Sequence, residues 1–338
     1  MKILLVSPLY YPHVGGVEHV VQCLAQQLSR RGYEVAVLAG EPGSGRTIQD
    51  EVNGITVIRW PTWSPGGAYH IPKRINIFIR FIRDIAREYD VVHVHNAHAV
   101  IAVLAGLIAS RETKTLFTPH YHGGGHTTVR RLLWNTAWRK IVRDLIRKVN
   151  LIHVVSPAER ELLIKDFPIG VAKMRYVPNG VSEDVANFKW RGEGSDYMIY
   201  AGRLECYKGV REAVELADKL GLRIVFLGRG SCEKWLNKAT NGQRVEIHDF
   251  KPRPQYLATL AEAKYAVNLS RREAFSLFIA EALKMGIPSI VSQHVAKALG
   301  ARCEDTVEGY CLVKSAPIYT WGELIDKYLE LYNEVVSH

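Results

Sequence analysis

Apolar residues in this chain gather in short runs, separated by segments of helical period. Lys2–Ser7, Glu34–Ala39, Thr56–Trp60, Val91–His95, Lys114–Thr118 and Leu151–Val155 are apolar nearly throughout and read as strands. Val17–Arg31 and Ile75–Glu88, lying between them, have the length and period of helices. Continuous apolar strands alternating with helices predict a parallel sheet covered on both faces. Tyr176–Gly180, with its Pro-Asn-Gly turn signal, closes this first series. A second series follows, with strands at Tyr197–Ala201, Arg223–Leu227, Val245–His248, Tyr265–Leu269 and Ser289–Ser292. Val210–Leu220, Gln255–Ala263 and Phe278–Met285 are its helices, the last stopped by Gly286 and Pro288. The chain therefore reads as α/β, with two Rossmann-like, doubly wound parallel-sheet domains at 1–178 and 179–318. Residues 319–338 form an amphipathic helix expected to pack back on the first domain. Two such domains in tandem face a central cleft at the carboxyl ends of their sheets.

Composition narrows the class. The hydrophobic share of 47% and charged share of 23% belong to a globular protein that stays in water. The longest apolar run, Ala99–Ala109, is about half of the ~20 residues a membrane span needs. Met1 leads through one lysine into the first strand with no leader pattern, so a cytoplasmic protein is expected. Five scattered cysteines (23, 206, 232, 303 and 311) form no C-x-x-C pair. They are expected to be unpaired, buried and in reducing surroundings, with neither a disulfide framework nor a zinc site. Charge is uneven. Residues 1–178 carry 23 basic and 13 acidic side chains, whereas 179–338 carry 21 of each. Any anionic surface is met by the first half.

Three loops hold the candidate chemistry. After the first strand, Gly15 and Gly16 open a helix, where backbone amides can approach an anion. An ordinary strand-to-helix turn explains the pair as well, and the G-x-G-x-x-G fingerprint of a dehydrogenase is absent from the proper context. After the strand at 197–201 come Arg203 and Lys208, a guanidinium fork and a mobile ammonium suited to clamping a diphosphate. Taken alone, they would pass for two solvated cations. After the strand at 265–269, Glu273 and Glu281 lie eight positions apart, the first in a loop and the second inside a helix. Carboxylates accept hydrogen bonds from vicinal hydroxyls, so one could hold a sugar and the other a ribose. Surface glutamates are the plainer reading, but Glu281 is flanked by Ile279, Ala280, Ala282 and Leu283 and needs a partner.

In order and spacing these elements resemble the retaining GT-B glycosyltransferases of glycosyltransferase family 4. The resemblance spans nearly the whole chain: Gly-Gly-Val-Glu at 15–18, Asp90 to His95, Thr118-Pro-His120, Val155-Ser156, Val177 to Gly180, Gly202-Arg203, Lys208-Gly209, Gly228-Arg-Gly230, Glu273 with Glu281, and Gly286-Ile-Pro288. It implies a metal-independent retaining transferase that moves a sugar from a nucleotide-diphosphate sugar to an acceptor hydroxyl on a glycan or lipid-linked molecule. In that reading Arg203 and Lys208 bind the diphosphate, Glu281 the ribose, and Glu273 the transferred sugar. The backbone at Phe275, Ser276 and Leu277 touches sugar and phosphates, and Gly16 approaches the phosphate from the opposite domain. His120 contacts the donor sugar, and Gly228 and Gly230 lie by the base. Where the family has Glu-Gly-Phe-Gly this chain has Glu273-Ala-Phe-Ser, so two added side chains could tighten, redirect or damage the site. Two rivals follow. One is a nucleotide-sugar-binding protein that has lost catalysis, the other a GT-B epimerase or hydrolase.

His93, His95, His98, His120, His122 and His126 lack metal-ligand spacing, and no D-x-D motif is present, so no metal or other cofactor is expected. Two basic segments, Lys73–Arg87 and Val129–Asn150, interleave cations with apolar residues, including Trp134 and Trp138. Each alone reads as a core-facing stripe under a solvated face. With the excess charge confined to this half, contact with an anionic membrane surface is expected, the acceptor then being lipid-linked. No nucleic-acid reader motif accompanies the charge, and nucleic acid is not expected as a partner.

Overall fold

The computed structural model describes residues 1–125, 132, 134–239 and 244–337. The chain divides into two compact units. One comprises Met1–Val155, Glu159–Gly180 and Trp321–His338; the other comprises Ser156–Ala158 and Val181–Thr320.

In the first unit the strands are β1 (Lys2–Ser7), β2 (Glu34–Pro42), β3 (Ile48–Val52), β4 (Ile55–Trp63), β5 (Ile71–Pro72), β6 (Val91–His95), β7 (Lys114–Thr118), β8 (Leu151–Val154) and β9 (Met174–Tyr176). Its helices are α1 (Gly16–Arg30), α2 (Ile75–Ala86), α3 (Val100–Ala109), α4 (Arg139–Lys148) and α5 (Pro157–Asp166). The sheet order is β3-β4-β2-β1-β6-β7-β8-β9, with β5 on β4. Strand alternation separates two cores. Leu4, Val6, Val92 and Val94 pack with Phe78 and Ile82 of α2, Ile101 of α3 and Leu145 of α4. His93, on the opposite face, meets Tyr332 of the C-terminal helix.

The second unit holds β10 (Tyr197–Ala201), α6 (Val210–Leu220), β11 (Arg223–Leu227), α7 (Glu233–Ala239), β12 (Val245–His248), α8 (Arg253–Ala261), β13 (Tyr265–Asn268), α9 (Leu277–Lys284), β14 (Ser289–Val291), α10 (Gln293–Ala298), β15 (Asp305–Val307) and β16 (Tyr310–Val313). Its sheet runs β12-β11-β10-β13-β14-β16-β15. Ile199, Val225 and Ala266 pack against α8 and α9, while Met198, Phe226 and Val267 pack against α6, giving three layers. The final helix, α11 (Trp321–Ser337), belongs to the first unit and packs on α1, β6 and β7.

The expectation of two doubly wound α/β units holds, but the sheets are mixed rather than parallel throughout. β3 and β5 pair antiparallel with β4, and β15–β16 form an antiparallel edge on β14. These edge strands are short or polar, so they lack the apolar runs that betray the central ones.

A further expectation is corrected. Four of the five cysteines are paired, Cys206 with Cys232 and Cys303 with Cys311, which removes the reading of reduced, solitary thiols. The partners are 26 and 8 residues apart, and the packing of loops rather than sequence spacing brings them together. Phe78 and Ile82 in α2, and Val142, Leu145 and Ile146 in α4, are buried, as core-facing stripes require, whereas Ile75 and Ile77 at the start of α2 are exposed. Trp134 is buried too, and the indole N–H of Trp138 donates to the carbonyl of Ala97. Val129, Arg130, Arg131 and His126 lie outside the described residues.

Candidate active site

In the second unit β10 is flanked by β11 and β12 on one side and by β13 and β14 on the other. The order of strands thus reverses between β10 and β13, and ligands of such sheets bind outside the carboxyl ends at that reversal. The loop leaving β10 carries Arg203 and Lys208; the loop leaving β13 carries Glu273. Lys208 Nζ donates to Glu273 Oε1 at 2.7 Å, each side chain being 13% exposed. Arg203 is exposed beside them in sequence.

The backbone around this pair is tightly held. Lys208 ends a 3-10 turn, Cys206–Lys208, and its N–H donates to the carbonyl of Glu205 at 2.8 Å. Gly209 follows with φ +78, and a Cβ there would lie 2.5 Å from the carbonyl of Leu269, so only glycine lets this loop rest on the end of β13. His294 Nε2 donates to the Glu273 carbonyl at 3.0 Å, and Ser292 Oγ to that of Ser270 at 2.6 Å, fixing the other loop.

Gly228 and Gly230 have a structural task that the sequence did not show. Gly228, at φ +141, would place a Cβ 2.0 Å from the carbonyl oxygen of Gly202, and a Cβ on Gly230 would meet that of Leu204 at 2.4 Å. The two glycines let the loop after β11 press backbone against backbone on the Arg203–Lys208 loop. Leu204 N–H donates to the carbonyl of Arg229 at 2.9 Å, and Cys232 N–H to that of Leu204 at 2.8 Å.

The departures at 274 and 276 turn inward. Ala274 is buried, and Ser276 Oγ accepts from Asn268 Nδ2 at 2.9 Å. Phe275 and Leu277 remain partly exposed at the start of α9. Glu281 is 5% exposed and has the partners its apolar neighbours demanded. Arg253 Nη1 donates to one oxygen and the Tyr256 hydroxyl to the other. Arg253 also reaches Asp184 with two parallel bonds of 2.9 Å. Sequence reading missed Arg253, Tyr256 and Asp184, since loop and helix residues up to 97 positions apart carry no common pattern.

Gly15, Gly16 and His120 lie in the first unit, where β1 and β6 mark the corresponding reversal of strand order. Gly15 is the N-cap of α1 in extended backbone and supplies no side-chain cap, and Gly16 is exposed. His120 is buried at φ +47, and its Nε2 contacts Nδ1 of His95 at 3.1 Å. Burial pushes its pKa down to about 3, so it is neutral in ordinary buffers.

A second chain of bonds has a direction that chemistry dictates. His153 Nε2 must donate to the carbonyl of Val177, so its Nδ1 accepts from Thr118. Thr118 Oγ1 then accepts from His93 Nε2, whose Nδ1 accepts from Tyr332. These histidines are occupied in structure. By contrast, Ser7 Oγ, the Tyr10 hydroxyl and His95 Nε2 are buried without a hydrogen-bond partner among the described residues. All three sit at or just past the carboxyl ends of β1 and β6. Among the described residues no group of three or more His, Cys, Asp or Glu side chains is placed to hold a metal ion.

The family model "Glycosyltransferase Family 4" matches residues 14–185, and "Glycosyl transferases group 1" matches residues 183–334. The chain is 25% identical over 306 residues to a phosphatidylinositol N-acetylglucosaminyltransferase subunit of Arabidopsis thaliana, covering 86% of this chain and 67% of that one. It is 26% identical over 354 residues to a glycogen synthase of Mycobacterium tuberculosis, covering 94% and 83%. Among solved structures, Anabaena HepE in complex with UDP and glucose superposes with a TM-score of 0.68 at 15% identity, covering 99% of this chain and 92% of the other.

Proposed function

The chain belongs to glycosyltransferase family 4 and is a GT-B glycosyltransferase, and from that premise we propose that it moves a sugar from a nucleotide-diphosphate sugar to an acceptor hydroxyl, with retention of configuration and without a metal ion. The observation that carries this reading is the Lys208–Glu273 pair at the strand reversal of the second unit, in the same loop system as Arg203. Fixed cations aimed at a leaving diphosphate stabilise the charge that develops as its bond to the sugar breaks. Arg203 and Lys208 supply two, and backbone amides of Phe275, Ser276 and Leu277 at the start of α9 add donors. Glu273 is the acceptor for sugar hydroxyls. Glu281 retains lone pairs beyond those taken by Arg253 and Tyr256, and these suit a ribose hydroxyl pair.

The sugar C1–oxygen bond to the phosphate breaks and a C1–oxygen bond to the acceptor forms on the same face. The acceptor proton passes to the departing diphosphate oxygen. Because His120 is neutral, any contact it makes with a sugar is a hydrogen bond rather than an ion pair. The unpartnered Ser7, Tyr10 and His95 groups are suited to an acceptor's hydroxyls.

Incubation with UDP-, GDP- and ADP-sugars in the presence of a chelator tests the reading. Nucleoside diphosphate should be released only when acceptor is present, and the product's anomeric coupling should match the donor's. Release without acceptor would mark a hydrolase, and an inverted product would sink the proposed mechanism.

For the acceptor we propose a lipid-linked or membrane-surface glycan, met at an anionic bilayer. The relative from Arabidopsis is named for phosphatidylinositol. No helix among the described residues is long and apolar enough to cross a membrane. Among the apolar side chains that the first unit exposes are Trp63 (61%), Ile75 (46%) and Ile77 (55%). Ile71 is paired with Trp63 in the sheet and leads directly to Lys73 and Arg74, which are exposed at the start of α2, as is Arg80 within it. Exposed Trp and Ile among cations fit the interface of an anionic bilayer. The protein should sediment with phosphatidylglycerol vesicles and much less with phosphatidylcholine, and Trp63→Ser with Ile77→Ser should abolish the difference. Equal partition of wild type and variant would overturn the docking proposal and favour a soluble polysaccharide acceptor.

A further inference from the structure

Both loops that frame the Arg203 and Lys208 cations carry a cysteine. Cys206 opens the turn that delivers Lys208, and Cys232 follows the Gly228–Ser231 loop; the two are bonded, with their Cα atoms 5.2 Å apart. The same two loops are joined by the Leu204–Arg229 and Cys232–Leu204 backbone bonds, and Ser231 Oγ donates to Glu205. The cross-link therefore closes a covalent ring of residues 206–232 that contains Lys208 and the Gly228–Ser231 loop, while Arg203 lies just outside it, next to Leu204, which those backbone bonds tie to the ring. The second disulfide among the described residues, Cys303–Cys311, sits at the β15–β16 edge and not in that ring.

We propose that the Cys206–Cys232 disulfide is a positioning element for the diphosphate clamp, so that donor affinity follows the thiol–disulfide state of this one pair. The proposal rests on the donor-clamp reading given above. A loop held in its binding geometry before the ligand arrives loses less freedom on binding, and a cross-link between the two loops holds them so. The reductant is a dithiol. One of its thiolates attacks a sulfur of the pair, and Cys206 is the accessible target because it is partly exposed while Cys232 is fully buried. The Cys206–Cys232 bond breaks, Cys232 leaves as a thiolate and takes a proton, and a mixed disulfide forms on Cys206. The second thiol of the reductant then resolves it, releasing Cys206 as a thiol and the reductant as its own disulfide. Two electrons pass from the dithiol to the protein pair.

The test measures the affinity of UDP, GDP and ADP for the whole protein, as purified under oxidising conditions, after dithiothreitol, and after reoxidation. Reduction should weaken binding of the preferred nucleotide on the order of tenfold, a change worth about 1.4 kcal/mol, and reoxidation should restore it. Cys206→Ser with Cys232→Ser should reproduce the reduced affinity, with unchanged circular dichroism and no further response to reductant. Cys303→Ser with Cys311→Ser should bind as the wild type does. Equal affinities for oxidised, reduced and Cys206/Cys232-substituted protein would overturn the proposal, as would five titratable thiols under oxidising conditions. Oxidised wild type that binds none of the three nucleotides would instead bring down the clamp reading, and this proposal with it.

Discussion

The strand reversals of the two units are built from different chemistry. In the second unit the loops after β10 and β13 present charge: Lys208 against Glu273, with Arg203 exposed in the same loop. In the first unit, the ends of β1, β6 and β7 present buried neutral groups: Ser7, Tyr10, His95 and His120. The same topology serves both, so topology says where a ligand binds and side chains say which. Charges that keep some water contact can receive a diphosphate and release it. Neutral hydroxyls and imidazoles can orient a hydroxyl without competing for that diphosphate.

Breaking the charged side should have the largest effect. Glu273→Ala is expected to lower turnover by roughly a hundredfold or more with folding intact, as loss of one group contacting the reacting sugar does. A protein that only binds nucleotide sugars would change in affinity alone. Steady-state kinetics with matched binding titrations separates the two.

The neutral side should reveal itself through pH. Burial lowers His153 to about 4 and His120 to about 3, from an ordinary value near 6.5. Below pH 6.5 the unfolded chain takes up protons that the folded one refuses, so stability falls as pH drops from 6.5 towards 4. Each group contributes about 1.4 kcal/mol per pH unit over that range. Glu159 acts in the opposite sense. Its carboxyl accepts the N–H groups of Tyr121 and Val155, yet burial pushes it up to about 8. Stability therefore falls again as pH rises from its unfolded value near 4.5 to about 8. A stability maximum close to pH 6.5 is expected from denaturant titrations, with Glu159→Gln flattening the alkaline side. A smaller effect should come from Tyr332→Phe, which leaves His93 Nδ1 without its donor. We expect a loss of about 1–3 kcal/mol in stability and no change in donor affinity.

How much of this was legible in the sequence differs between the same two regions. The central strands announced themselves because they are apolar on both faces, whereas β3 and β15 are too polar and short to do so. Glu281 stood out because an acid among apolar neighbours needs a partner, whereas Arg203, Lys208 and Glu273 stood out only through their place in the family's pattern. The Lys208–Glu273 pairing, the Arg253–Tyr256–Glu281 cluster and the Cys206–Cys232 bond did not stand out, since each joins loops that only the sheet order brings together. Gly228 was visible as a loop residue, but the carbonyl pressing on it was not. The histidines were visible as a group. Only the direction of their hydrogen bonds separates the structural His93 and His153 from His95, whose Nε2 has no partner among the described residues.

Calorimetric titration of the preferred nucleoside diphosphate, in chelator, into wild type and Lys208→Met tests most directly whether fixed cations hold the donor. Binding by the wild type without added metal, at least tenfold weaker in the variant, is the expected result. Equal affinity in the two proteins, or binding that appears only when a divalent ion is supplied, would contradict it.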